Sequence, residues 1–257
     1  MRPALRLVLA AALFIPLQAM AADSPPAKPD EAELGASHYA LTNGYGSWDS
    51  TYLDAAHRFG ERQSVYGELR ETRRFNLNDR EVSGGYYHPL GDTWTALVEA
   101  SMSPEHRVLP QDSLFGQLQK SFDGGWDVQG GLRRTQYTLA ATDMMVLTGE
   151  RYWGNYRAAY TLYLARLQGS GTAPSHMAQL SYYYAERSYA TLALSRGRQA
   201  ESLGIGLGVL LLDVTSASLS GRYWLNSAWG LSYEVLSERQ GNLYSRKGAR
   251  LGIRYAF

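Results

Sequence analysis

Short segments in which apolar and polar residues alternate recur along almost the whole chain, and they constrain its fold most strongly. In residues 94–103, for example, an apolar phase alternates with Thr95, Glu99 and Ser101. A period of two places successive side chains on opposite faces of a β-strand. Apolar residues rarely recur at helical spacing, and after the first segment no run of 18 consecutive apolar residues occurs. The chain is therefore predicted to be all-β.

Turn residues separate fourteen such segments. The predicted strands are 33–41, 50–59, 63–74, 81–89, 93–103, 112–121, 126–137, 144–153, 156–168, 176–186, 189–196, 214–225, 229–238 and 246–257. Short turns largely alternate with longer polar loops such as residues 102–112, 169–176 and 237–247. This asymmetry is typical of bacterial outer-membrane barrels. We therefore predict a transmembrane up-and-down antiparallel β-barrel of about 14 strands, with 12 or 16 strands as alternatives.

One apolar segment, residues 197–213, does not fit a simple loop. A fifteenth strand at this place would leave the two chain ends on opposite sides of the membrane, whereas single-chain bacterial barrels have an even number of strands. Two interpretations remain open. The segment extends the twelfth strand above the membrane, or it folds over the mouth of the barrel.

The first residues have the pattern of an export signal. Arg2 and Arg6 precede an apolar run from Leu7 to Leu17, and Ala19-Met20-Ala21 has the small-x-small pattern of a cleavage site. An N-terminal membrane anchor is the alternative, but the run is shorter than the ~20 residues of a spanning helix. The predicted organisation is a signal peptide at 1–21, a flexible linker at 22–32 and a barrel domain at 33–257.

The composition is consistent with an exported β protein. The chain has 19 Tyr and 26 Gly but 9 Pro and no Cys, so neither disulfides nor thiolate metal sites are expected. A formal net charge of +1 argues against nucleic acid as a partner. A soluble β-sandwich is the alternative fold, but sequential hairpins do not provide the Greek-key connections that are usual in sandwiches.

Most tryptophans lie within a residue or two of connections that we assign to the periplasmic side. An aromatic girdle at one membrane interface produces this clustering. The predicted girdle consists of Trp94, Trp126, Trp153, Trp224 and Trp229. Trp48 lies near an outer loop instead.

The last residues match the signal by which outer-membrane barrels are recognised for assembly. Its predicted elements are Arg250, Gly252, Tyr255 and the final Phe257. Alternation then places Leu251, Ile253, Tyr255 and Phe257 against lipid. The barrel assembly machinery and outer-membrane lipid are therefore expected partners.

The chain also resembles the YaiO family of outer-membrane β-barrel proteins. The resemblance rests on the order of segments such as LGASHYAL (34–41), GGYYHPLGDTW (84–94), FDGGWDVQGGLRRTQY (122–137) and LNSAWGLSYEVLSE (225–238). It covers nearly the whole chain after the predicted signal peptide and implies a barrel in the outer membrane. It implies no catalytic residues and no defined cargo.

The same alternation predicts which charged residues line the lumen. These are Asp54, Arg58, Glu68, Arg70, Glu99, Arg133, Arg222, Glu234, Arg250 and Arg254. Six arginines against four carboxylates differ from the single-sign ring of a strongly selective pore. One interpretation is a narrow conduit for a small neutral or acidic solute, such as a glycan. The other is a solvated inner wall of paired charges.

Catalytic, cofactor and metal sites are not predicted. The five histidines are scattered: His57 faces lipid or the girdle, His88 abuts a turn, and His106 and His176 fall in outer loops. Neither a serine nucleophile nor a metal-ligand cluster is recognisable. We expect a narrow channel or an export-associated barrel that is not an enzyme. A structural barrel without conductance is the alternative, and a lipid-modifying enzyme is a third interpretation.

Overall fold

The computed structural model describes residues 30–138, 140–167, 171–185, 187–202 and 209–257. The predicted signal peptide at 1–21 and linker residues 22–29 lie outside these ranges. The strands are β1 (Asp30–Leu41), β2 (Trp48–Gly60), β3 (Gln63–Arg74), β4 (Leu77–Pro89), β5 (Trp94–Met102), β6 (Asp112–Phe122), β7 (Trp126–Gln136), β8 (Ala141–Trp153), β9 (Tyr156–Leu167), β10 (Thr172–Tyr184), β11 (Ser188–Ser202), β12 (Val209–Trp224), β13 (Trp229–Gln240) and β14 (Tyr244–Ala256).

Each strand pairs with its neighbours in sequence, and β14 pairs with β1 to close the barrel. The closing pair is antiparallel and continuous from Glu31 opposite Ala256 to Leu41 opposite Arg246. The predicted closed antiparallel barrel of 14 strands is confirmed. Among the described residues, no helix is long and apolar enough to cross a membrane.

The two ends of the barrel differ in their connections. We call the end at which β1 begins and β14 ends the terminal end, and the opposite end the loop end. Connections at the terminal end are two to four residues long, whereas those at the loop end reach nine residues, at 103–111. Short turns at one end are typical of the periplasmic side of outer-membrane barrels.

The outer face of the barrel carries large apolar side chains. Leu34, Leu132 and Leu251 are 66–68% exposed, and similar residues surround the whole barrel. A protein in water rarely exposes a contiguous apolar surface of this size. The band therefore matches the hydrocarbon layer of a bilayer.

Several strands begin or end beyond their predicted limits. β1 starts at Asp30, so residues 30–32 of the predicted linker are strand residues, and Glu31 pairs with Ala56 and Ala256. At the loop end, β4 starts at Leu77 and β10 at Thr172, so His176 lies in a strand rather than a loop. Ladder hydrogen bonds continue where the outward residues become polar, and apolar alternation no longer marks the strand there.

The apolar segment that left two interpretations open lengthens a hairpin. β11 and β12 remain paired as far as Ser202 opposite Val209. Residues 203–208 lie outside the described part of the chain. The backbone therefore supports the first interpretation, an extension of strand 12, and β11 lengthens with it.

The connection between β5 and β6, residues 103–111, is folded against the barrel. The carboxylate of Asp79 accepts backbone hydrogen bonds from Val108 (2.6 Å) and Leu109 (2.9 Å) and one from the guanidinium of Arg107 (3.3 Å). The side chains of Val108 and Leu109 are buried. One buried carboxylate on β4 thus anchors the longest loop, because it satisfies amides that would otherwise be unpaired.

Candidate functional site

The barrel interior concentrates the charged side chains and is the candidate site. Alternation places all ten predicted lumen residues on the inner face: Asp54, Arg58, Glu68, Arg70, Glu99, Arg133, Arg222, Glu234, Arg250 and Arg254. They do not form one ring. Some meet at the terminal end, some lie midway, and Glu99 with Arg133 lies on a separate wall.

Arg254 on β14 is the centre of a charge cluster at the terminal end. Its guanidinium contacts the carboxylates of Glu31 (2.8 Å), Glu33 (2.6 Å) and Asp54 (3.4 Å). Glu33 also accepts hydrogen bonds from the hydroxyls of Tyr52 and Ser232, each at 2.6 Å. Carboxylates from β1 and β2 therefore meet at one cation on β14, and Ser232 on β13 adds a hydroxyl donor to Glu33.

Glu31 extends this cluster to the neighbouring wall. It contacts Arg187 in the turn between β10 and β11 at 2.9 Å and Arg222 on β12 at 3.5 Å. Arg187 also lies 3.6 Å from the ring centroid of Trp224. Burial lowers the pKa of the Arg187 guanidinium, and the Glu31 carboxylate opposes that shift. We call Glu31, Glu33, Asp54, Arg187, Arg222 and Arg254 the terminal cluster.

A second set of charged contacts lies nearer the middle of the same wall. Glu68 on β3 is bridged by Arg70 and by Arg250, the latter at 3.5 Å. Arg250 also stacks on the ring of Tyr52, 3.7 Å from its centroid. Flat guanidinium groups can pair with a carboxylate and an aromatic face at the same time. We call the inner face of β13, β14, β1, β2 and β3 the charged wall.

Aromatic side chains of the charged wall narrow the lumen at the loop end. Trp48 is buried on the inner face between the guanidinium groups of Arg74 (4.4 Å from the ring centroid) and Arg246 (4.8 Å). Its ring also packs edge-on against Phe75 and Tyr244. Such cation–π contacts hold arginines over a ring face rather than in the centre of the lumen.

The opposite side of the lumen, β4 to β9, combines isolated ion pairs with an apolar cluster. Arg133 pairs with Glu99 at 2.7 Å, and Tyr66 donates to the same carboxylate. Arg157 pairs with Glu150. Between these pairs, Leu97, Phe115 and Val146 pack together with partly buried Tyr66, Tyr87, Met144 and Tyr163. This side is partly filled by its own side chains.

The inner face of β10 to β12 is different, and we call it the small-residue wall. Its inward side chains include Ser181, Thr191, Ala193, Ser195, Ser216, Ser218 and Ser220. Neighbouring strands exchange short hydroxyl contacts, Ser181 to Thr191 at 2.8 Å and Ser195 to Ser216 at 2.7 Å. Small side chains project little from the sheet. The larger inward residues of these strands are Met177 and Gln179 on β10, and Tyr183, Tyr189, Arg222 and Trp224 toward the terminal end.

Four of the five predicted girdle tryptophans lie on the outer face near the terminal end. Trp94, Trp126, Trp153 and Trp229 are each 40–47% exposed. Trp224 differs from the prediction: it is 9% exposed and lies on the inner face under Arg187. Tyr223, the preceding residue, takes the outward position. Proximity to a turn indicated the depth of Trp224, but strand parity decides its face.

The residues of the predicted assembly signal divide between the two faces. Tyr255 and Phe257 point outward and stack on each other, with ring centroids 5.8 Å apart. Arg250 and Gly252 point inward, where a Cβ on Gly252 would come within 2.6 Å of Glu33, Ser232 and Tyr52. The inward pair therefore has a packing role in the folded barrel.

The histidines lie mainly at the outer surface. His57 contacts Asp30 at 2.7 Å and His38 contacts Asp49 at 2.6 Å, both on the outer face of β1 and β2. His176 contacts the hydroxyl of Tyr160 at 2.6 Å. Among the described residues, no group of three or more His, Cys, Asp or Glu is placed to hold a metal ion.

The sequence matches the model of a known protein family. The model of the YaiO membrane beta barrel domain matches residues 29–202, more than half of the chain. The chain belongs to the YaiO family. The matched residues run from the start of β1 to the end of β11. The expected resemblance is confirmed, and this YaiO chain is an outer-membrane β-barrel protein. Among curated proteins, none matches its sequence.

Solved structures share the fold of this YaiO barrel. OmpT, an outer membrane protein of Vibrio cholerae, has a TM-score of 0.52 and 10% identity, covering 89% of this chain and 96% of that chain. An anion-selective porin from Comamonas acidovorans has a TM-score of 0.50 and 10% identity, covering 89% and 98%. At such low identity, the likeness shows a porin-like fold alone.

Several interior residues of the YaiO barrel were not in the predicted set. Glu31 was assigned to the linker and Glu33 to the first position of a strand, where alternation is weakly defined. Arg157 follows outward Tyr156, so the phase of β9 was sufficient to find it. Arg187 lies in a turn, where periodicity carries no information about direction; only the fold brings it to Glu31.

Proposed function

We propose that this YaiO barrel is a narrow channel through the outer membrane for small polar or glycan-like solutes. The observation that carries the proposal is the division of the interior. Charged residues on one wall are tied to one another, while the wall formed by β10 to β12 presents small side chains. A solute path along the small-residue wall leaves the ion pairs of the charged wall intact.

The chemistry of the path favours a hydroxyl-rich solute. Ser195, Ser216 and Ser218 offer donors and acceptors that sugar hydroxyls can replace or join. Inward Tyr183 and Tyr189 lie at the terminal end of this wall, with ring centroids 6.1 Å apart. Aromatic faces provide apolar contact area while their hydroxyls remain available for hydrogen bonds. A strongly charged solute would compete with the existing ion pairs instead.

A structural or accessory barrel without conductance is the second candidate. It is favoured by the filling of the interior at both ends. The terminal cluster joins β1 to the turn after β10 through Glu31 and Arg187, and Trp48 is held between two arginines at the loop end. Conductance separates the two candidates.

The test is current through the purified full chain in a planar bilayer. Ser218 points inward and its neighbour Ala217 points outward on the same strand. We expect Ser218→Trp to lower the single-channel conductance roughly threefold or more, because it replaces a small side chain of the proposed path with a large one and narrows the lumen there. Ala217→Trp, which adds the same side chain on the lipid face, should leave conductance unchanged.

Two results would reject the channel. No current from the native chain, and none after Arg133→Gln removes one lumen charge, would support the accessory barrel. Equal conductance of Ser218→Trp and the native chain would place any path elsewhere. Current blockades by a neutral linear oligosaccharide, weakened by Ser218→Trp, would support the glycan-like solute.

The proposal includes a route to the membrane. Residues 1–21 direct export across the inner membrane and are cleaved. The barrel assembly machinery recognises Arg250, Gly252, Tyr255 and Phe257. The terminal end then faces the periplasm. We propose no catalytic role, in keeping with the YaiO family and the porin-like fold.

A further inference from the structure

The outer face near the loop end has an uneven distribution of charge. On β1 to β8, the outward cations at the loop end contact a carboxylate or lie opposite one in the strand register. His38 contacts Asp49 at 2.6 Å and Arg134 contacts Asp143 at 3.0 Å, while Arg73 and Arg80 are the register partners of Asp49 and Glu71. On β11 to β14, Arg198 pairs with Asp213 at 3.5 Å. Three further outward cations, Arg196, Arg239 and Lys247, have no carboxylate contact within the described residues.

These three cations lie close together on the sheet. Arg196 is opposite Thr215, and Thr215 is opposite Arg239, so the two arginines are two strands apart in one row. That separation is roughly 10 Å between Cα atoms. Arg239 and Lys247 are diagonal neighbours on β13 and β14, since Ser237 pairs with Lys247. Diagonal neighbours are about 7–8 Å apart. We call Arg196, Arg239 and Lys247 the cation triad.

An apolar groove runs toward the membrane centre from the triad. Its volume is about 680 Å³, and it lies between β13, β14 and β1. Ala36 and Ala249 form its floor, and Val235 and Leu251 border it. Lys247 and His38 stand at its loop-end margin. From Lys247 to Leu251 the strand rises roughly 13 Å, close to half of a hydrocarbon core about 30 Å thick.

We propose that the triad and this groove bind a multiply phosphorylated glycolipid of the outer leaflet. The triad receives phosphate groups of the headgroup, and the groove receives one acyl chain. Charge complementarity identifies the occupant: three cations without a carboxylate contact, spread over three strand spacings from β11 to β14, match several phosphates better than one. The groove begins beside Lys247, so one molecule can place its headgroup on the triad and an acyl chain in the groove.

The position of the site gives it a consequence for the barrel. The groove covers the seam where β14 meets β1, with Ala249 opposite His38 and Leu251 opposite Ala36. A lipid bound there contacts three consecutive strands, including both that close the barrel. We infer that the glycolipid stabilises closure of the seam, because a ligand that binds the folded barrel alone shifts the folding equilibrium toward it.

The test measures binding of bisphosphorylated lipid A to the refolded full chain in detergent by native mass spectrometry. We expect the triple variant Arg196→Ser, Arg239→Ser, Lys247→Ser to bind at least tenfold more weakly. The matched control removes three outward cations from the other side of the barrel, Arg73→Ser, Arg80→Ser and Arg134→Ser. It should change affinity less than about twofold, because surface charges away from the site act weakly.

A second variant separates the groove from the charges. Ala249→Trp fills the groove and keeps every cation, and it should lower affinity several-fold. Ala100→Trp on the outer face of β5 is its control. With the native chain, dephosphorylated lipid A and phosphatidylglycerol should both bind more weakly than the bisphosphorylated form.

Three results would overturn the proposal. Equal losses in the two triple variants would indicate attraction by net charge. Equal binding of phosphorylated and dephosphorylated lipid would exclude the triad as a phosphate-binding site. An Ala249→Trp variant that binds as tightly as the native chain would exclude the groove as the acyl-chain site. Heat-dependent gel mobility checks folding. If the triple variant does not fold, the lipid series on the native chain and Ala249→Trp still decide the outcome.

Discussion

The charged wall and the small-residue wall of this barrel are built from the same kind of hairpins but are held together differently. On the charged wall, Arg254 on β14 contacts Glu31 on β1 and Asp54 on β2. Glu31 in turn contacts both Arg254 and Arg187 in the turn after β10. On the small-residue wall, Ser181 and Thr191 contact only across one pair of strands. Side-chain ion pairs therefore concentrate on the charged wall.

Inner charges that are paired with one another need not define the selectivity of the proposed channel. A charge that is bound to a partner and buried offers less to a passing solute than a free one. The inner charges of both signs, which the sequence left open as a solvated lining, form a network of ion pairs in the structure. Substitutions on the two walls should therefore have unequal effects on stability.

The largest effect is expected from Arg254→Ala. It leaves the carboxylates of Glu31, Glu33 and Asp54 close together without their shared cation. Removing one partner from a buried ion pair costs about 3–5 kcal/mol, and the free energy of unfolding should fall by that amount. Urea unfolding of the barrel in lipid vesicles measures it. Exposed Arg166→Ala is the control, and a loss below about 1 kcal/mol for Arg254→Ala would show that the network is not structural.

Gly252→Ala should have an intermediate effect. The added methyl group would crowd the oxygen atoms of Glu33, Ser232 and Tyr52, all within 2.6 Å of the new Cβ. Overpacking of this kind costs about 1–3 kcal/mol. In the same unfolding assay, Gly149→Ala is the control, since nothing lies within 4 Å of its Cβ. A Gly252→Ala barrel of normal stability that fails to reach the outer membrane would assign this glycine to assembly alone.

The smallest effect is expected on the small-residue wall. Replacing Ser181 and Thr191 together by Ala removes both partners of one hydroxyl contact. The free energy of unfolding should change by no more than about 1 kcal/mol, because neither hydroxyl is left without its partner. The same urea titration tests it. A loss above about 2 kcal/mol would erase the distinction between the walls.

Much of the architecture was predictable because one physical rule acts along the whole chain. Lipid outside and polar groups inside impose strict alternation, so strand number and the faces of residues such as Arg133 follow from the residue pattern. The rule fails where the medium changes. Beyond the hydrocarbon both faces are wet, and the extra strand residues at Asp30 and Thr172 could not be recognised.

The partners inside the lumen were not predictable for a different reason. Alternation gives the face of a residue but not its neighbours around the barrel. Arg254 meets Asp54 because β14 closes on β1 and the inner side chains reach past one strand. The prediction that Trp224 belongs to the girdle is wrong, because nearness to a turn indicates depth in the membrane, whereas alternation along β12 places this side chain inward. The unpredicted partners concern relations between strands, whereas the error at Trp224 concerns parity within one strand.

The closure of the barrel carries a consequence for how the chain matures. Glu33 and Arg254 are 221 positions apart in the chain, and Asp54 and Arg254 are 200 apart. Until β14 pairs with β1, the carboxylates of Glu31, Glu33 and Asp54 on β1 and β2 lack this cation. Their mutual repulsion discourages β1 from pairing with another copy, as charges on an open sheet edge do. Pairing of β14 with β1 thus closes the barrel and neutralises these carboxylates in one step.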